Sequence, residues 1–167
     1  MKISFSGTHG TGKSTAVFAL AAELKLNNPN KTVGVFMENA KHSPLGFNKN
    51  KPLEAQLWIF SNQLQAEIDL STKYDILITD RTIFDSIAYA KYFGYADLAA
   101  KLFKVAAIYV GSYNKIIIKT IKSNSFWFPD GIRDVEDEIY RQQIEKELFL
   151  MYDELKRKGA KFEFVVV

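Results

Sequence analysis

The feature that most constrains this chain is a glycine-rich segment of eight residues that directly follows its first apolar run. The segment consists of Gly7, Thr8, His9, Gly10, Thr11, Gly12, Lys13 and Ser14. Glycines allow successive backbone N–H groups to turn towards one centre, and the amino end of a following helix carries partial positive charge. The spacing therefore predicts a phosphate-binding loop between a strand and a helix.

This loop predicts a bound nucleoside triphosphate, which we take to be ATP, together with Mg²⁺. We expect Lys13 to bridge the β- and γ-phosphates and the Ser14 hydroxyl to ligate the metal. Thr15 follows in the chain and is expected to contact the α-phosphate. We include His9 among the loop residues, although it occupies a variable position for which we expect no special role.

Five short apolar runs, rich in branched and aromatic residues, alternate with helical patterns along the chain. The runs are Lys2–Ser6, Val33–Met37, Asp75–Thr79, Lys115–Thr120 and Phe162–Val167. Near-continuous apolar runs are typical of parallel strands that are buried on both faces, and their alternation with helices implies right-handed crossovers. We predict a single domain over residues 1–167 with an α/β, three-layer fold, in which helices flank a five-stranded parallel sheet.

Composition narrows the class of protein further. The chain has no Cys, which excludes disulfides, zinc thiolates and cysteine nucleophiles. Its net charge of +3 permits anionic ligands but does not indicate a strong nucleic-acid binder. No apolar run reaches the roughly 20 residues that span a bilayer, and the first residues do not resemble a signal peptide. We therefore expect no membrane association and a cytoplasmic location, in the host cytoplasm if the protein is viral.

Charged residues follow the second and third apolar runs, at the strand ends where open α/β sheets bind ligands. Asp80 is placed to hold a magnesium-bound water, although a helix-capping Asp would also fit. Arg81 stands where many ATP-hydrolysing machines carry a Glu that activates water, which favours phosphoryl transfer over hydrolysis. Glu38 could accept a proton from an acceptor hydroxyl or hold a sugar hydroxyl; an ordinary surface Glu is the alternative.

The loop, Glu38 and the pair Asp80-Arg81 together resemble P-loop kinases of nucleosides and nucleotides. In thymidylate and deoxynucleoside kinases an Asp-Arg pair follows the third strand, and its Arg contacts the phosphoryl-transfer region or the acceptor. In deoxynucleoside kinases a Glu at the end of the second strand serves as base or acceptor ligand. The resemblance implies that γ-phosphate passes from ATP to a nucleoside or a nucleoside monophosphate.

A further segment is similar to the LID of ribosylnicotinamide-kinase-like domains and their phage relatives. It contains Pro129-Asp130-Gly131-Ile132-Arg133, with Arg141 following after an acidic stretch. The resemblance implies a LID-like region at about 123–141 and an acceptor-side insertion at about 38–72. It also implies that Arg133 and Arg141 close over ATP and neutralise charge in the transition state; a loop charge and a solvated helix face are the respective alternatives. Together with the loop and strand-end residues, the expected catalytic set is Lys13, Glu38, Arg81, Arg133 and Arg141.

The acceptor pocket is expected to involve the helix predicted over Leu53–Thr72. In deoxynucleoside kinases a Gln and aromatic residues of this helix hold the base, which suggests Gln63 and Trp58 here; a solvated Gln is the alternative. Lys41 is a further candidate beside Glu38 and Arg81. We assign Tyr89 and Tyr92 to the core.

Two other functions stay open at this point. A polynucleotide 5′-kinase would need a basic channel for single strands, and a non-catalytic ATP-binding switch would need no acceptor at all. We expect a small-molecule nucleoside or nucleotide as the partner, consider nucleic acid unfavoured by the mild charge, and allow for a homodimer.

Overall fold

The computed structural model describes residues 1–45, 52–121 and 138–167, and these residues build one parallel sheet of five strands. The strands are β1 (Lys2–Ser6), β2 (Val33–Phe36), β3 (Ile76–Asp80), β4 (Lys115–Ile118) and β5 (Glu163–Val166). Their order across the sheet is β2-β3-β1-β4-β5. The prediction of a five-stranded parallel sheet is confirmed. The observed strands depart from the predicted ones by no more than two residues at any end, and β3 includes Asp80.

Helices connect the strands in the expected alternation. They are α1 (Lys13–Asn27), α2 (Leu53–Ser71), α3 (Ile83–Tyr92), α4 (Ala96–Tyr109) and α5 (Glu138–Arg157), with short 3-10 helices at Ala40–His42 and Val110–Ser112. No helix within the described residues is both long enough and apolar enough to cross a membrane.

The start of α3 is set by a local capping motif. Thr82 is extended and its hydroxyl accepts a hydrogen bond from the backbone N–H of Phe84. The side chain of Asp85 in turn accepts from the backbone N–H of Thr82, which completes a capping box. The helix consequently begins only two residues after Arg81, so that its first turn lies beside the phosphate-binding loop.

The core forms two layers, one on each face of the sheet. Alternate residues of β4 contribute to different layers: Ile116 and Ile118 pack into one cluster, and Ile117 packs against the other. The larger cluster joins these isoleucines to α3, α4 and α5, and the smaller one joins Phe5 to Val17 of α1. This arrangement confirms the three-layer α/β fold.

Helix α2 runs back across the sheet, from its carboxyl edge towards its amino edge. Glu67 near the end of α2 contacts Lys2 at the start of β1, whereas Gln63 contacts Arg81 just past the end of β3. The first turn of α2 therefore lies beyond the carboxyl ends of the strands, in the region where parallel sheets bind ligands.

Candidate active site

The phosphate-binding loop leaves β1 through Gly7, whose backbone can only be that of a glycine. Its φ is 138°, and a Cβ at this position would lie 2.4 Å from the carbonyl oxygen of Lys119. Gly10 and Gly12 also have positive φ, of 69° and 75°. The loop then enters α1 at Lys13, with the carbonyl of Gly12 accepting the first helical hydrogen bond from Ala16.

Lys13 lies across this loop with only 5% of its surface exposed. Its ammonium group donates to the carbonyl oxygen of Thr8 and, at 3.3 Å, to the hydroxyl of Thr11. Burial lowers the pKa of Lys13 to about 7, and the positive charge of Arg81 lowers it as well. A phosphate beside Lys13 would favour the charged form of the lysine. The loop is therefore suited to bind an anion.

Ser14 and Asp80 meet although 65 residues lie between them in the chain. Because β1 and β3 are neighbours with Phe5 opposite Asp80, the end of β3 lies next to the loop. The Ser14 hydroxyl donates to Oδ2 of Asp80 at 2.5 Å, while Oδ1 of Asp80 is buried and accepts no hydrogen bond from the described residues.

The free oxygen of Asp80 and the Ser14 hydroxyl are hard oxygen ligands of the kind that Mg²⁺ prefers. The described residues contain no cluster of three or more His, Cys, Asp or Glu side chains that could hold a metal. Magnesium commonly keeps several waters and uses one or two protein ligands plus phosphate oxygens, so this sparse pair fits it.

Arg81 is held in an unfavourable backbone conformation. Among the described residues it is the only non-glycine residue with positive φ, at 87°. Such a conformation costs on the order of 1–3 kcal/mol and persists only where the surroundings enforce it. Strained residues of this kind cluster at functional sites, which supports the expectation from the sequence that Arg81 is a functional residue.

The guanidinium of Arg81 connects the loop to the predicted acceptor side. It donates to the carbonyl of Gly7 at 3.1 Å and pairs with Glu38 at 2.9 Å and with Asp85 at 3.3 Å. Burial by itself would lower the pKa of Arg81, but Glu38 and the other neighbouring acidic groups raise it well above its ordinary value. The structure thus brings Glu38 and Arg81 together, and the arginine stays charged.

Asp85 is a site residue that the sequence did not single out. It is fully buried, and its carboxylate accepts from the Ser6 hydroxyl at 2.9 Å and from the Gly7 backbone N–H at 3.0 Å. It also accepts from the backbone and hydroxyl of Thr82 and pairs with Arg81. Asp85 thereby fixes the entry to the loop, the start of α3 and the arginine at once. Its signal in the sequence is the Thr-x-x-Asp spacing of a capping box.

Tyr89, which we assigned to the core, packs against the larger core cluster and also faces the site. Its hydroxyl accepts a hydrogen bond from the backbone N–H of His9 at 3.2 Å, and its ring lies 5.1 Å from the guanidinium carbon of Arg81. His9 also contacts α5, because its ring lies 5.0 Å from that of Tyr140 at the start of this helix. The loop is therefore in contact with both α3 and α5.

Gln63 is 5% exposed and is committed to contacts within the protein. Its amide nitrogen donates to Glu67 at 2.9 Å and to the carbonyl of Arg81 at 3.0 Å, which uses both amide hydrogens. This arrangement argues against the expected role of Gln63 in reading a base edge.

Gln56, which the sequence did not single out, differs from Gln63 in that its amide hydrogens are not used within the described residues. It lies on the same face of α2, seven residues before Gln63 and therefore about 10 Å nearer the open end of the site. It is 1% exposed, and its amide nitrogen has no hydrogen-bond partner among the described residues. The spacing of two helical turns from Gln63 was the signal that could have revealed it.

The remaining predicted residues have varied positions. Thr15 and Lys41 are exposed, on α1 and on the 3-10 helix after β2. Trp58 is half-buried on α2, roughly 160° around the helix from Gln56. Arg141 is 2% exposed in the first turn of α5, rather than on a solvated face. Arg133 and most of the LID-like region lie outside the described residues.

Comparisons with known proteins support the fold. A family model described as an AAA domain matches residues 2–167. None of the curated proteins matches the chain in sequence. Thymidylate kinase from Ehrlichia chaffeensis has a similar solved structure, with a TM-score of 0.62 and 20% identity, over 99% of this chain and 86% of its own.

Two structures of deoxyadenosine kinase from M. mycoides are similar as well. The one with the products dCMP and dCDP has a TM-score of 0.61 and 18% identity, over 100% of this chain and 89% of its own. The one with bound dATP has a TM-score of 0.60 and 18% identity, over 100% and 90%. The resemblance to P-loop nucleoside and nucleotide kinases is thus confirmed for the fold.

Proposed function

The chain belongs to the AAA domain family, and from this premise we propose that it is an ATP-dependent phosphotransferase acting on a nucleoside or a nucleoside monophosphate. The observation that carries the proposal is the ion pair of Arg81 with Glu38, 2.9 Å long, beside the loop. Many ATP-hydrolysing enzymes of this fold carry a Glu next to the magnesium ligand to activate water, whereas the residue after Asp80 here is this arginine. An arginine and a glutamate opposite the phosphate-binding loop suit a second substrate instead.

The donor side uses the loop and the amino end of α1. Its backbone N–H groups and Lys13 would hold the β- and γ-phosphates of ATP, and Ser14 with Asp80 would hold Mg²⁺. When bound, the metal would neutralise charge on the phosphate oxygens. Lys13 and Arg81 would stabilise the charge that develops on the transferred group, and catalysis would consist mainly of positioning.

Glu38 defines the acceptor side. Its carboxylate is 22% exposed, so it can reach a substrate while it remains paired with Arg81. It could accept the proton of an attacking hydroxyl, or hold a sugar hydroxyl in place. A carboxylate facing the acceptor favours a neutral hydroxyl, whereas Arg81 also suits an acceptor phosphate, so both acceptor classes belong to the proposal.

Gln56 extends the acceptor side along α2. A buried amide that donates no hydrogen bond costs about 1–3 kcal/mol, which a bound ligand would offset by supplying an acceptor. A planar amide can read the edge of a base with paired hydrogen bonds. We assign to Gln56, rather than Gln63, the recognition of a nucleobase; this is supported by its burial and its free donor.

A radiolabelled ATP transfer assay against panels of nucleosides, nucleoside monophosphates and 5′-hydroxyl oligonucleotides tests the proposal. We expect product with at least one nucleoside or monophosphate, and a much lower but still measurable rate of transfer after Glu38→Gln or Arg81→Ala. Product formed only on oligonucleotide ends would favour a polynucleotide kinase. ATP binding without any labelled acceptor, or with inorganic phosphate as the only product, would overturn the proposal.

A further inference from the structure

The left-handed backbone of Arg81 is enforced from both sides of the residue. Its N–H donates to the carbonyl of Phe5 at 2.9 Å. Its carbonyl oxygen accepts from the amide of Gln63 at 3.0 Å and from the hydroxyl of Thr79 at 2.8 Å. The conformation of Arg81 thus depends on donors that come from α2 and β3, and not on its own side-chain contacts alone.

Gln63 is itself oriented by Glu67, one turn further along α2. Both acceptors of the Gln63 amide, Oε1 of Glu67 and the carbonyl of Arg81, are oxygens, so only one orientation of the amide satisfies them. Glu67 has no exposed surface. Gln63 therefore cannot turn away without leaving a buried carboxylate and a buried carbonyl short of a donor.

Glu67 is fixed in turn by a cation and a phenol. The ammonium of Lys2, which is 3% exposed, pairs with Oε2 of Glu67 at 2.7 Å, and the Tyr113 hydroxyl donates to Oε1 at 3.0 Å. Lys2 also donates to the Tyr109 hydroxyl at 2.8 Å and lies over the rings of Tyr109 and Tyr113, 4.1 and 3.9 Å from their centroids. A continuous buried chain of contacts therefore runs from the amino edge of the sheet to Arg81.

We propose that Gln63 and Glu67 are positioning residues for Arg81: they hold its carbonyl so that the left-handed backbone aims the guanidinium across Gly7, Asp85 and Glu38. They touch neither substrate, and they act only through the arginine. The inference rests on the proposed function to the extent that Arg81 takes part in phosphoryl transfer. It also gives a function to the buried ion pair of Lys2 and Glu67, which lies at the amino edge of the sheet, opposite to the site.

The kinetic test removes the donor while it keeps the shape of the side chain. Gln63→Met should lower kcat by ten- to a hundred-fold and leave KM for ATP within a factor of about two, because a small displacement of a catalytic group mainly affects the chemical step. Tyr109→Phe, which removes a partner of Lys2 but leaves the path from Glu67 to Arg81 intact, should leave kcat unchanged.

A double-mutant cycle separates positioning from general damage. In an Arg81→Ala background, Gln63→Met should have no further effect on kcat, because the group through which it acts is gone. An equal fold-loss in both backgrounds, or an unchanged kcat in folded Gln63→Met, would overturn the proposal. If Gln63→Met does not fold, Thr79→Val removes the other donor to the same carbonyl and should lower kcat in the same way.

A second readout does not require activity. In ¹⁵N-labelled protein, the Nε–H signal of Arg81 should exchange slowly with solvent, and its exchange should accelerate at least tenfold in Gln63→Met but not in Tyr109→Phe. If this result is found in a protein that phosphorylates no acceptor, the positioning inference stands and the proposed function fails. Exchange that is unchanged in Gln63→Met would refute the positioning role, whatever the activity.

Discussion

Oδ1 of Asp85 lies 3.0 Å from the backbone nitrogen of Gly7 and accepts its hydrogen bond. These two residues are 78 positions apart, yet the contact joins the first turn of α3 to the first residue of the phosphate-binding loop. Since Asp85 also pairs with Arg81, one carboxylate sets the positions of the donor loop and of the arginine relative to each other. The shape of the site therefore depends on a residue that lies outside the motif of residues 7–14.

Asp85→Asn should destabilise the protein by about 2–4 kcal/mol. The amide keeps the size of the side chain but replaces an acceptor with a donor and removes the charge that compensates buried Arg81. Urea unfolding measures this change. Asp153→Asn is the matched control, because Asp153 is 61% exposed in its pair with Arg157, and the change should cost below about 1 kcal/mol. Equal effects of the two substitutions would contradict the central position of Asp85.

Gly7→Ala should prevent the loop from forming. The added Cβ would meet the backbone oxygen of Lys119 at 2.4 Å, and φ of 138° is strained for any side chain, so we expect a loss of roughly 3 kcal/mol or more together with loss of ATP binding. Gly111→Ala is the comparison, because nothing lies within 4 Å of a Cβ there. Thermal unfolding and calorimetric titration with ATP distinguish the two variants, and ATP binding by folded Gly7→Ala would count against this account of the loop.

ATP binding should weaken as the pH rises above about 7. The free protein has a Lys13 whose pKa is lowered to about 7 by burial, so most molecules carry a neutral Lys13 at pH 8. Bound phosphate favours the charged form and raises this pKa, and therefore binding at pH 8 must take up close to one proton. Calorimetry at pH 8 in buffers of different ionisation enthalpy measures the uptake.

Lys13→Arg provides the control for this pH dependence, because an arginine stays charged over the whole range. It should bind ATP without proton uptake at pH 8, even if its affinity differs. If the wild type shows no uptake, or if Lys13→Arg shows the same uptake, the proton does not go to Lys13.

Gln56→Leu should affect stability and function in opposite directions. It removes a buried amide without a hydrogen-bond partner, so the free energy of unfolding should stay the same or rise by up to about 2 kcal/mol. At the same time KM for the acceptor should rise at least tenfold while KM for ATP does not change. Gln65→Leu on the exposed side of α2 should alter neither constant. An unchanged acceptor KM in Gln56→Leu would remove this residue from the base-recognition proposal.

The sequence predicted those parts of the protein that are written in contiguous residues. Segment 7–14 is a complete motif, and the apolar runs of the strands are distinct from the helical patterns, so the loop and the sheet could both be found. Asp80 and Arg81 were recognisable because they directly follow a strand. Each of these signals depends on neighbours in the chain and not on tertiary contacts.

The tertiary contacts of the site were not predictable in the same way. Gln63 and Gln56 have the same residue type and lie on the same helix face, and only packing shows that one amide is used by Glu67 and Arg81 while the other is not. Tyr89 reads as a core residue because an aromatic side chain at helical spacing fits both a core and a site. Its hydroxyl could be assigned only once α3 was seen to begin at Ile83, beside the loop.

The central place of β1 in the sheet has a consequence for the order in which the molecule is made. Both neighbours of β1 come later in the chain, β3 at Ile76–Asp80 and β4 at Lys115–Ile118. A nascent chain thus carries its complete loop motif long before either strand that holds the loop has left the ribosome. ATP binding would have to wait until synthesis has passed β4. ATP can therefore stabilise the sheet once it has formed, but it cannot assist the early steps of folding.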